Sequence, residues 1–409
     1  MTAALTFADL GFEVVLVERE KEPGGNLRHI YTGFYGSNPQ DLLTRIVRQV
    51  HAHEQITLLL GAELQEFGGH LGAFQSRVKQ ADGEALVLDH GVTVIATGAG
   101  EVETTEYGYG TLAGVMTQRE YEQLLGTRKQ EGDAENRPHS IVMIQCVGSR
   151  DADRPYCSRI CCAEAIKNAI ETKKRYPDTQ VSILYRDIRT YGFREDLYQE
   201  ARELGVMFFE YDLEHKAMVS DQNGRLKVDL EVQPDRCRVE LEADLVVLSV
   251  GVEPNKDNAI LSQVLDLPLD KDGFFLEANT KMRPLDFARD GIYLCGLAHS
   301  PRSVDEAIIQ ARGAAMRAAS TLLKDKLEVQ PNIAKVNPRL CSACGICVDV
   351  CPFGARILPG EDGYFAHVID VLCQGCGTCV AACPNNACQQ EGYQARQVLS
   401  VIDAALTLV

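Results

Sequence analysis

Short apolar runs alternate along the chain with stretches whose apolar residues recur at helical spacing. Ile141-Val142-Met143-Ile144 carries no polar alternation, the pattern of a buried parallel strand. Ala163–Ile170 reads as a helix and Val181-Ser182-Ile183-Leu184-Tyr185 as a second strand, so residues 141–185 predict a βαβ unit. Upstream, residues 1–10 predict a helix with Leu5 and Leu10 on its apolar face, closed by Gly11. A strand over Phe12–Val17 then ends in Glu18. Gln40–His53 predicts a helix and Ile56–Leu60 a strand. Residues 61–90 alternate and turn at Gly68-Gly69 and Asp82-Gly83, which predicts a small β-meander. Val92–Gly98 reads as the strand returning to the first sheet, and Asp244–Gly251 as the last strand of a second βαβ region over 112–250. A long helix is expected over Val304–Leu323, a linker over Pro331–Pro338 and an amphipathic helix over Ala395–Val409.

The first loop of the βαβ unit is where the chemistry departs from the pattern. In a dinucleotide-binding domain that loop carries Gly-x-Gly-x-x-Gly, so that a pyrophosphate can approach the backbone. Here Gly148 is its only glycine, and Cys146, Cys157, Cys161 and Cys162 stand in it. Four thiolates can hold a [4Fe–4S] cluster. The plainer alternative is that Cys161 and Cys162 pack as small apolar residues, since free cysteine behaves that way and adjacent side chains diverge on a helix.

The C-terminal region decides how cysteine is used in this chain. Cys341-x2-Cys344-x2-Cys347-x3-Cys351-Pro352 is followed by Cys373-x2-Cys376-x2-Cys379-x3-Cys383-Pro384. This is the two-cluster ferredoxin run twice over, in which the fourth cysteine of each run serves the other cluster. Cys341, Cys344, Cys347 and Cys383 are therefore expected to hold one [4Fe–4S] cluster. Cys373, Cys376, Cys379 and Cys351 are expected to hold the other. Gly345 and Gly377 suit the tight turns that aim N–H groups at sulfur. A zinc site would need only one quartet, and no histidines stand at finger spacing. Cys237 reads as incidental, Cys388 as packing, and Cys295 as a small residue in a tight motif. His51 and His53 read as solvated.

With 409 residues, 45% of them hydrophobic, the chain can build two or three full cores. Its net charge of −17 argues against nucleic acid and anionic membrane as partners. No apolar run has membrane-spanning length, and Asp9 and Glu13 interrupt the apolar start, which is unlike a signal peptide. Fifteen cysteines in such a chain point to metal ligation in a reducing, cytoplasmic compartment.

A strand ending in an acid is how dinucleotide folds hold an adenosine ribose, which nominates Glu18. Gly24 and Gly25, with Arg28 just beyond, would let the chain pass close to the same cofactor. The strand and Gly-rich loop that ordinarily precede such a helix–strand–acid order do not stand before residue 1. They are expected to be encoded upstream of Met1, because a central strand cannot be dropped without exposing its neighbours' backbone groups.

Thr97-Gly98, at the end of Ala96-Thr97-Gly98, and Gly291-Ile292-Tyr293-Leu294-Cys295-Gly296 resemble the two FAD motifs of two-dinucleotide flavoproteins, with Leu297 where an aspartate is usual. The helix starting at Val304 would then point its positive end at a flavin; plain core packing is the alternative. The run Ile144–Arg150, with Arg154–Cys162 and Leu184–Glu195, resembles the A-type subunits of heterodisulfide reductase over essentially the whole chain. The resemblance implies a thioredoxin-reductase-like α/β body of two dinucleotide-binding domains that holds FAD, with an appended ferredoxin domain of two [4Fe–4S] clusters. The expected limits are 1–111 and 256–328 for the two FAD segments and 112–255 for the second Rossmann-like domain. The ferredoxin domain is expected over 329–392 and a terminal helix over 393–409.

The implied activity is electron transfer within a complex with B- and C-type subunits. A hydrogenase or formate dehydrogenase would be the donor, and a ferredoxin and a disulfide- or quinone-reducing partner the acceptors, with bifurcation at the flavin an option. A homodimer is also compatible. The competing expectations are a stand-alone NAD(P)H-linked iron–sulfur flavoprotein, which would need a Gly-rich second loop, and an electron-carrying scaffold without flavin.

Overall fold

The computed structural model describes residues 1–127, 137–326, 332–358 and 364–407. The chain divides into two compact units. One is Met1–Gly68 with Gln75–Ala319; the other is Gly69–Phe74 with Ser320–Val409. The second unit thus begins within the last turns of the helix from Val304, ahead of residue 329, and includes the terminal helix.

The first unit opens with α1 (Thr2–Asp9), β1 (Val14–Glu18), α2 (Pro39–Ala52) and β2 (Ile56–Leu60). Gly11 follows α1 with φ +91°, a left-handed conformation suited to glycine. Asn38 caps α2 by accepting from the Gln40 and Asp41 N–H groups, with Pro39 in the first turn. β1 pairs in parallel with β2. A three-stranded sheet follows: β3 (Glu63–His70), β4 (Ala73–Lys79) and β5 (Ala85–His90). β3 runs through Gly68-Gly69, so the first turn falls later than the glycine pair suggested. Next come β6 (Thr93–Ile95) and β7 (Ala99–Glu101).

The central layer of this unit is a five-stranded sheet. Its strands are β8 (Val115–Thr117), then, after α3 (Gln118–Thr127), β9 (Ser140–Val147); after α4 (Cys161–Arg175), β10 (Gln180–Tyr185); and after α5 (Glu195–Glu203), β11 (Met207–Glu210). The meander β12 (Met218–Gln222), β13 (Arg225–Val232) and β14 (Cys237–Ala243) leads to β15 (Leu245–Val250). The order is β11-β10-β9-β15-β8, with parallel pairings throughout. β9 lies between two neighbours, and its alternation divides the core. Ile141 and Met143 pack with Ala165, Ile166, Ala169 and Ile170 of α4, while Val142 and Ile144 pack with Leu226, Val228 and Leu230 of the meander. Each fully buried Ile or Leu contributes roughly 1.5–3 kcal/mol. That is why this uninterrupted apolar run forms the centre of the fold.

After β15 come β16 (Val252–Pro254), α6 (Asn258–Leu265), β17 (Ile292–Leu294) and α7 (Val304–Leu322). β16 pairs antiparallel with β7 and β17 parallel with β6. The strand expected to return to the first sheet therefore pairs with β17 instead, because Thr93–Ile95 meets Ile292–Leu294 in register. Val15 and Val17 of β1 are 41% and 38% exposed.

The second unit carries β18 (Ala334–Val336), α8 (Ile346–Asp349), β19 (Arg356–Ile357), β20 (His367–Val368), α9 (Thr378–Ala381), β21 (Cys388–Gln390) and α10 (Ala395–Thr407). β18 lies inside the stretch expected as a linker and pairs antiparallel with β21, while Pro331 lies outside the described residues. Gly345 and Gly377 precede α8 and α9 with φ +80° and +79°, so the two cysteine runs turn alike.

Candidate cofactor and cluster sites

The first site is the loop between β9 and α4. Cys146 leaves β9 with φ +61°, followed by Gly148 at +63° and Arg150 at +59°, and Arg159 at +61° sits just before the helix. Left-handed backbone at arginine and cysteine is uncommon and marks a segment whose conformation its surroundings impose. Cys161 and Cys162 are the first two residues of α4, both buried. The four thiols converge: Cys161 feels Cys162, Cys146 and Cys157, and it hydrogen-bonds Cys162. That bond brings the Cys162 thiol down to about 7, against the effect of its burial. Burial pushes Cys146 up, opposed by Arg186 and Arg150.

Three guanidinium groups face these sulfurs. Arg186 hydrogen-bonds Cys146, Arg150 Nη1 lies 3.9 Å from Cys146 Sγ, and Arg189 bonds Cys157. The Arg159 N–H donates to Cys157 Sγ at 3.3 Å. Arg186 is itself held by donating to the Ser149 and Arg150 carbonyls at 2.6 and 2.9 Å. A left-handed loop, a helix N-terminus and three cations form an anion-favouring cradle. Buried thiols fill the helix start where a pyrophosphate would otherwise lie.

The second site lies around the ends of β6 and β17. The Cys295 N–H donates to the Ile95 carbonyl at 3.1 Å, so the Thr97-Gly98 and Gly291–Gly296 motifs meet. Met1 lies near both Cys295 and Glu18, which brings Glu18 to the same place. Asn26 Nδ2, next to Gly24 and Gly25, donates to the Ala99 carbonyl at 2.9 Å. Arg28 is turned away, pairing with Glu22 and donating to the Pro23 carbonyl at 3.0 Å. Thr97 is engaged internally by Asn255 and Asn258. Gly25 (φ +50°) and Gly98 (φ +75°) both face open space, room that a bound group could take.

Val304 opens α7, and Arg302, two residues before it, buries its Nε without a partner among the described residues. Burial lowers His299 in the same turn, against its 2.9 Å bond to Glu277. These residues fit an anionic dinucleotide: backbone room at glycine, a guanidinium whose Nε is buried without a partner among the described residues, and a helix N-terminus.

Residues that the sequence pattern left unremarked stand nearby. Lys167 Nζ lies 2.8 Å from Glu122 Oε2, both buried, and Glu122 Oε1 accepts from the Tyr31 and Thr32 N–H groups at 2.8 and 2.9 Å. One turn earlier on α4, burial pushes the Glu164 carboxyl up to about 7, with Lys167 opposing and Glu122 and Glu101 adding to it. A lysine and a glutamate on an otherwise apolar helix face were the available signal. His53, expected to be solvated, is half-buried at the end of α2, where its Nδ1 accepts from the Gln55 N–H at 3.2 Å.

The third site is the doubled cysteine run of the second unit. A small pocket, partly open to solvent, is lined by Cys351, Cys373, Cys376 and Cys379, together with Arg356 and Phe353. These are the four cysteines that the exchange rule assigned to one cluster. Of the other quartet, Cys341, Cys347 and Cys383 lie in the unit's core alongside Cys373 and Cys379, and Cys344 is exposed at the turn before α8. Backbone N–H groups point at sulfur at both places. Ala334 donates to Cys373 at 3.4 Å, Ala355 to Cys351 at 3.3 Å, Ala343 to Cys341 at 3.4 Å and Cys388 to Cys383 at 3.5 Å. Such bonds stabilise thiolate. Thr378 holds Cys376 below the ordinary thiol value, and N–H donors hold Cys383 below it against burial. Among the described residues no three His, Cys, Asp or Glu side chains are set to grip a single metal ion. A four-iron cluster spreads its ligand sulfurs wider than a lone ion does. Cys237 is exposed, and Cys295 and Cys388 are buried.

Residues 340–388 match the 4Fe-4S dicluster domain family. Among curated proteins, the chain is 30% identical, over an alignment of 457 positions, to the second of two A-type iron-sulfur subunits of CoB–CoM heterodisulfide reductase in Methanopyrus kandleri, covering 88% of this chain and 68% of that one. It belongs to the family of heterodisulfide reductase A-type subunits. The Methanocaldococcus jannaschii member is 39% identical over 344 residues, covering 79% of this chain and 51% of that one. The A-type component of the H(2):CoB-CoM heterodisulfide,ferredoxin reductase of Methanothermobacter marburgensis is 37% identical, covering 79% and 50%. The chain thus spans about half the length of these last two relatives.

The fold is that of flavoprotein disulfide reductases. Thioredoxin reductases of T. acidophilum and Lactococcus lactis each superpose with a TM-score of 0.53 at 16% identity, over 79% of this chain and 95% of theirs. The resemblance in the central cysteine run and the expected α/β fold class are therefore both met. The chain is a member of an oxidoreductase family with an iron–sulfur module and a flavoprotein fold. No described helix is long and apolar enough to cross a membrane.

Proposed function

We propose that this member of the A-type family passes electrons between FAD in its first unit and three [4Fe–4S] clusters, as part of a heterodisulfide reductase-like complex. The observation that carries the reading is the convergence of Cys146, Cys157, Cys161 and Cys162 at the start of α4, under three guanidinium groups. Cys341, Cys344, Cys347 and Cys383 would hold a second cluster, and Cys351, Cys373, Cys376 and Cys379 a third. The domain limits expected from the sequence go with this assignment.

FAD would supply conversion between two-electron and one-electron transfer. Glu18 would hold its ribose, Gly25 and Gly98 would give it backbone room, Gly24, Gly291 and Gly296 would shape the turns around it, and Thr97 would fix the turn beside it. Arg302 and the start of α7 at Val304 would face its anionic parts. Lys167 is fixed against Glu122 inside the unit, and Glu164 beside it can take or release a proton near neutral pH. Donor hydrogenase or formate dehydrogenase, B- and C-type subunits, ferredoxin and a disulfide- or quinone-reducing acceptor are the proposed partners. The proposed compartment is the reducing cytoplasm, in keeping with fifteen cysteines that are all free thiols.

The test is anaerobic reconstitution of the chain, iron counting and mixing with NADH or NADPH. The expected result is about twelve irons per chain, four for each cluster, falling to about eight in Cys157→Ser, with no rapid flavin reduction by either nucleotide. Eight irons together with rapid reduction would show the loop to be an ordinary nucleotide turn and would overturn the reading.

A further inference from the structure

The two cysteine runs of the second unit repeat with the same spacing beyond their Cys-Pro pairs, and they differ at one buried position. Five residues after Cys351 stands Arg356; five residues after Cys383 stands Cys388. Both begin short strands, β19 and β21, and both are buried, at 3% and 4% exposure. A guanidinium is among the groups least often buried this deeply without a partner.

Arg356 Nη2 donates to Cys379 Sγ at 2.9 Å, short for a bond to sulfur. Its Nη1 is buried with no hydrogen-bond partner among the described residues. The ionisable groups that face it are Cys379, Cys388 and Cys347, thiols of both quartets and of the matching repeat position, and it lines the cavity of Cys351, Cys373, Cys376 and Cys379. Cys388, its counterpart, is a buried thiol, a group that is uncharged in its ordinary form. The pseudo-symmetric pair is therefore electrically lopsided. A fixed positive charge is bonded to a ligand of one quartet, and a neutral thiol sits at the equivalent place near the other.

We propose that Arg356 is a potential-setting residue that makes the cluster held by Cys351, Cys373, Cys376 and Cys379 the stronger electron acceptor of the two. Reduction adds one negative charge to a cluster, and a buried cation that hydrogen-bonds a ligand sulfur stabilises that charge more than it stabilises the oxidised form. The unpartnered Nη1 can donate to a cluster sulfide, which would meet a polar atom that no described residue satisfies. The residue positions charge; it transfers no electron itself. The inference rests on the cluster assignment made above.

The test uses the full chain, reconstituted anaerobically and titrated with dithionite while cluster signals are followed by low-temperature EPR. Wild type, Arg356→Met and Arg356→Gln are compared at equal iron content. The step belonging to the Cys373 cluster is identified by its absence from Cys373→Ser. The expected result is that this step moves to lower potential in both substitutions, by at least a tenfold change in electron occupancy, 59 mV for one electron. The steps of the other clusters should move by clearly less. If Arg356→Met fails to hold its iron, Arg356→Gln alone decides, since its amide can still fill the space and donate. Full iron with an unmoved step, a rise, or an equal shift of every step would overturn the proposal. Wild-type protein that loads no iron at these cysteines would instead overturn the cluster assignment beneath it.

Discussion

Replacing Lys167 by methionine isolates the buried charge pair of the first unit. At 2.8 Å, with both side chains less than a tenth exposed, the attraction is about 6 kcal/mol at an effective dielectric constant of 20. Desolvation of both ions offsets much of this, so the net worth of the pair is small. The single substitution is another matter, because it leaves the Glu122 carboxylate buried with only the Tyr31 and Thr32 N–H groups as partners. Removing one member of a buried pair typically costs about 3–5 kcal/mol. Glu122→Gln keeps an oxygen for those two donors but strands the ammonium, and a cost of similar order is expected. The double substitution Glu122→Gln/Lys167→Met removes both charges. It should cost less than either single, so the coupling should be at least as large as one single cost, about 3–5 kcal/mol. The assay is urea unfolding of the four proteins followed by far-UV circular dichroism, accepting differences only where the slopes agree. A Lys167→Met protein within about 1 kcal/mol of wild type, or a double variant as unstable as the singles summed, would refute the reasoning.

Three further outcomes are expected. Cys341→Ser and Cys373→Ser should each lower reconstituted iron by about four per chain, whereas Cys237→Ser, exposed and outside every quartet, should lower none. Glu164, raised to about 7 from 4.5 in the folded chain, contributes stability that is full below pH 4.5 and is lost as pH rises through 7, since the folded state keeps a proton that the unfolded state releases. Glu164→Gln should flatten that part of the stability–pH curve, as measured by denaturation at pH 5 and pH 8. Arg194, buried against Phe34 and Tyr191 with Nη2 bonding Ser303 and Asp305, should destabilise the first unit by about 2–3 kcal/mol when changed to methionine. Lysine should restore little, because the planar fork makes both the stacking and the bonds.

The sequence by itself determined whatever is written in local spacing. The doubled Cys-x2-Cys-x2-Cys-x3-Cys-Pro run defines a dicluster module without reference to any other part of the chain, and Gly345 and Gly377 fall at the turns that need left-handed backbone. The apolar run at 141–144 foretold the central strand because burial on both faces excludes polar alternation. Helix α7 starts at the expected Val304 for a similarly local reason.

What lay beyond reach depends on contacts between residues far apart in sequence. That β6 joins β17 and not the first sheet is set by a register spanning about two hundred residues, which periodicity cannot encode. Only the folded chain brings Arg186 and Arg189 back over the cysteine loop, and only there does Glu122 meet Lys167. Arg356 shows the division most sharply. In the sequence it is one polar residue after a Cys-Pro pair; in the fold it is a buried cation on the sulfur of Cys379. Spacing places ligands along a chain, but which charge stands beside a ligand is decided by packing, because electrostatic energy depends on distance in space and on the water that burial removes.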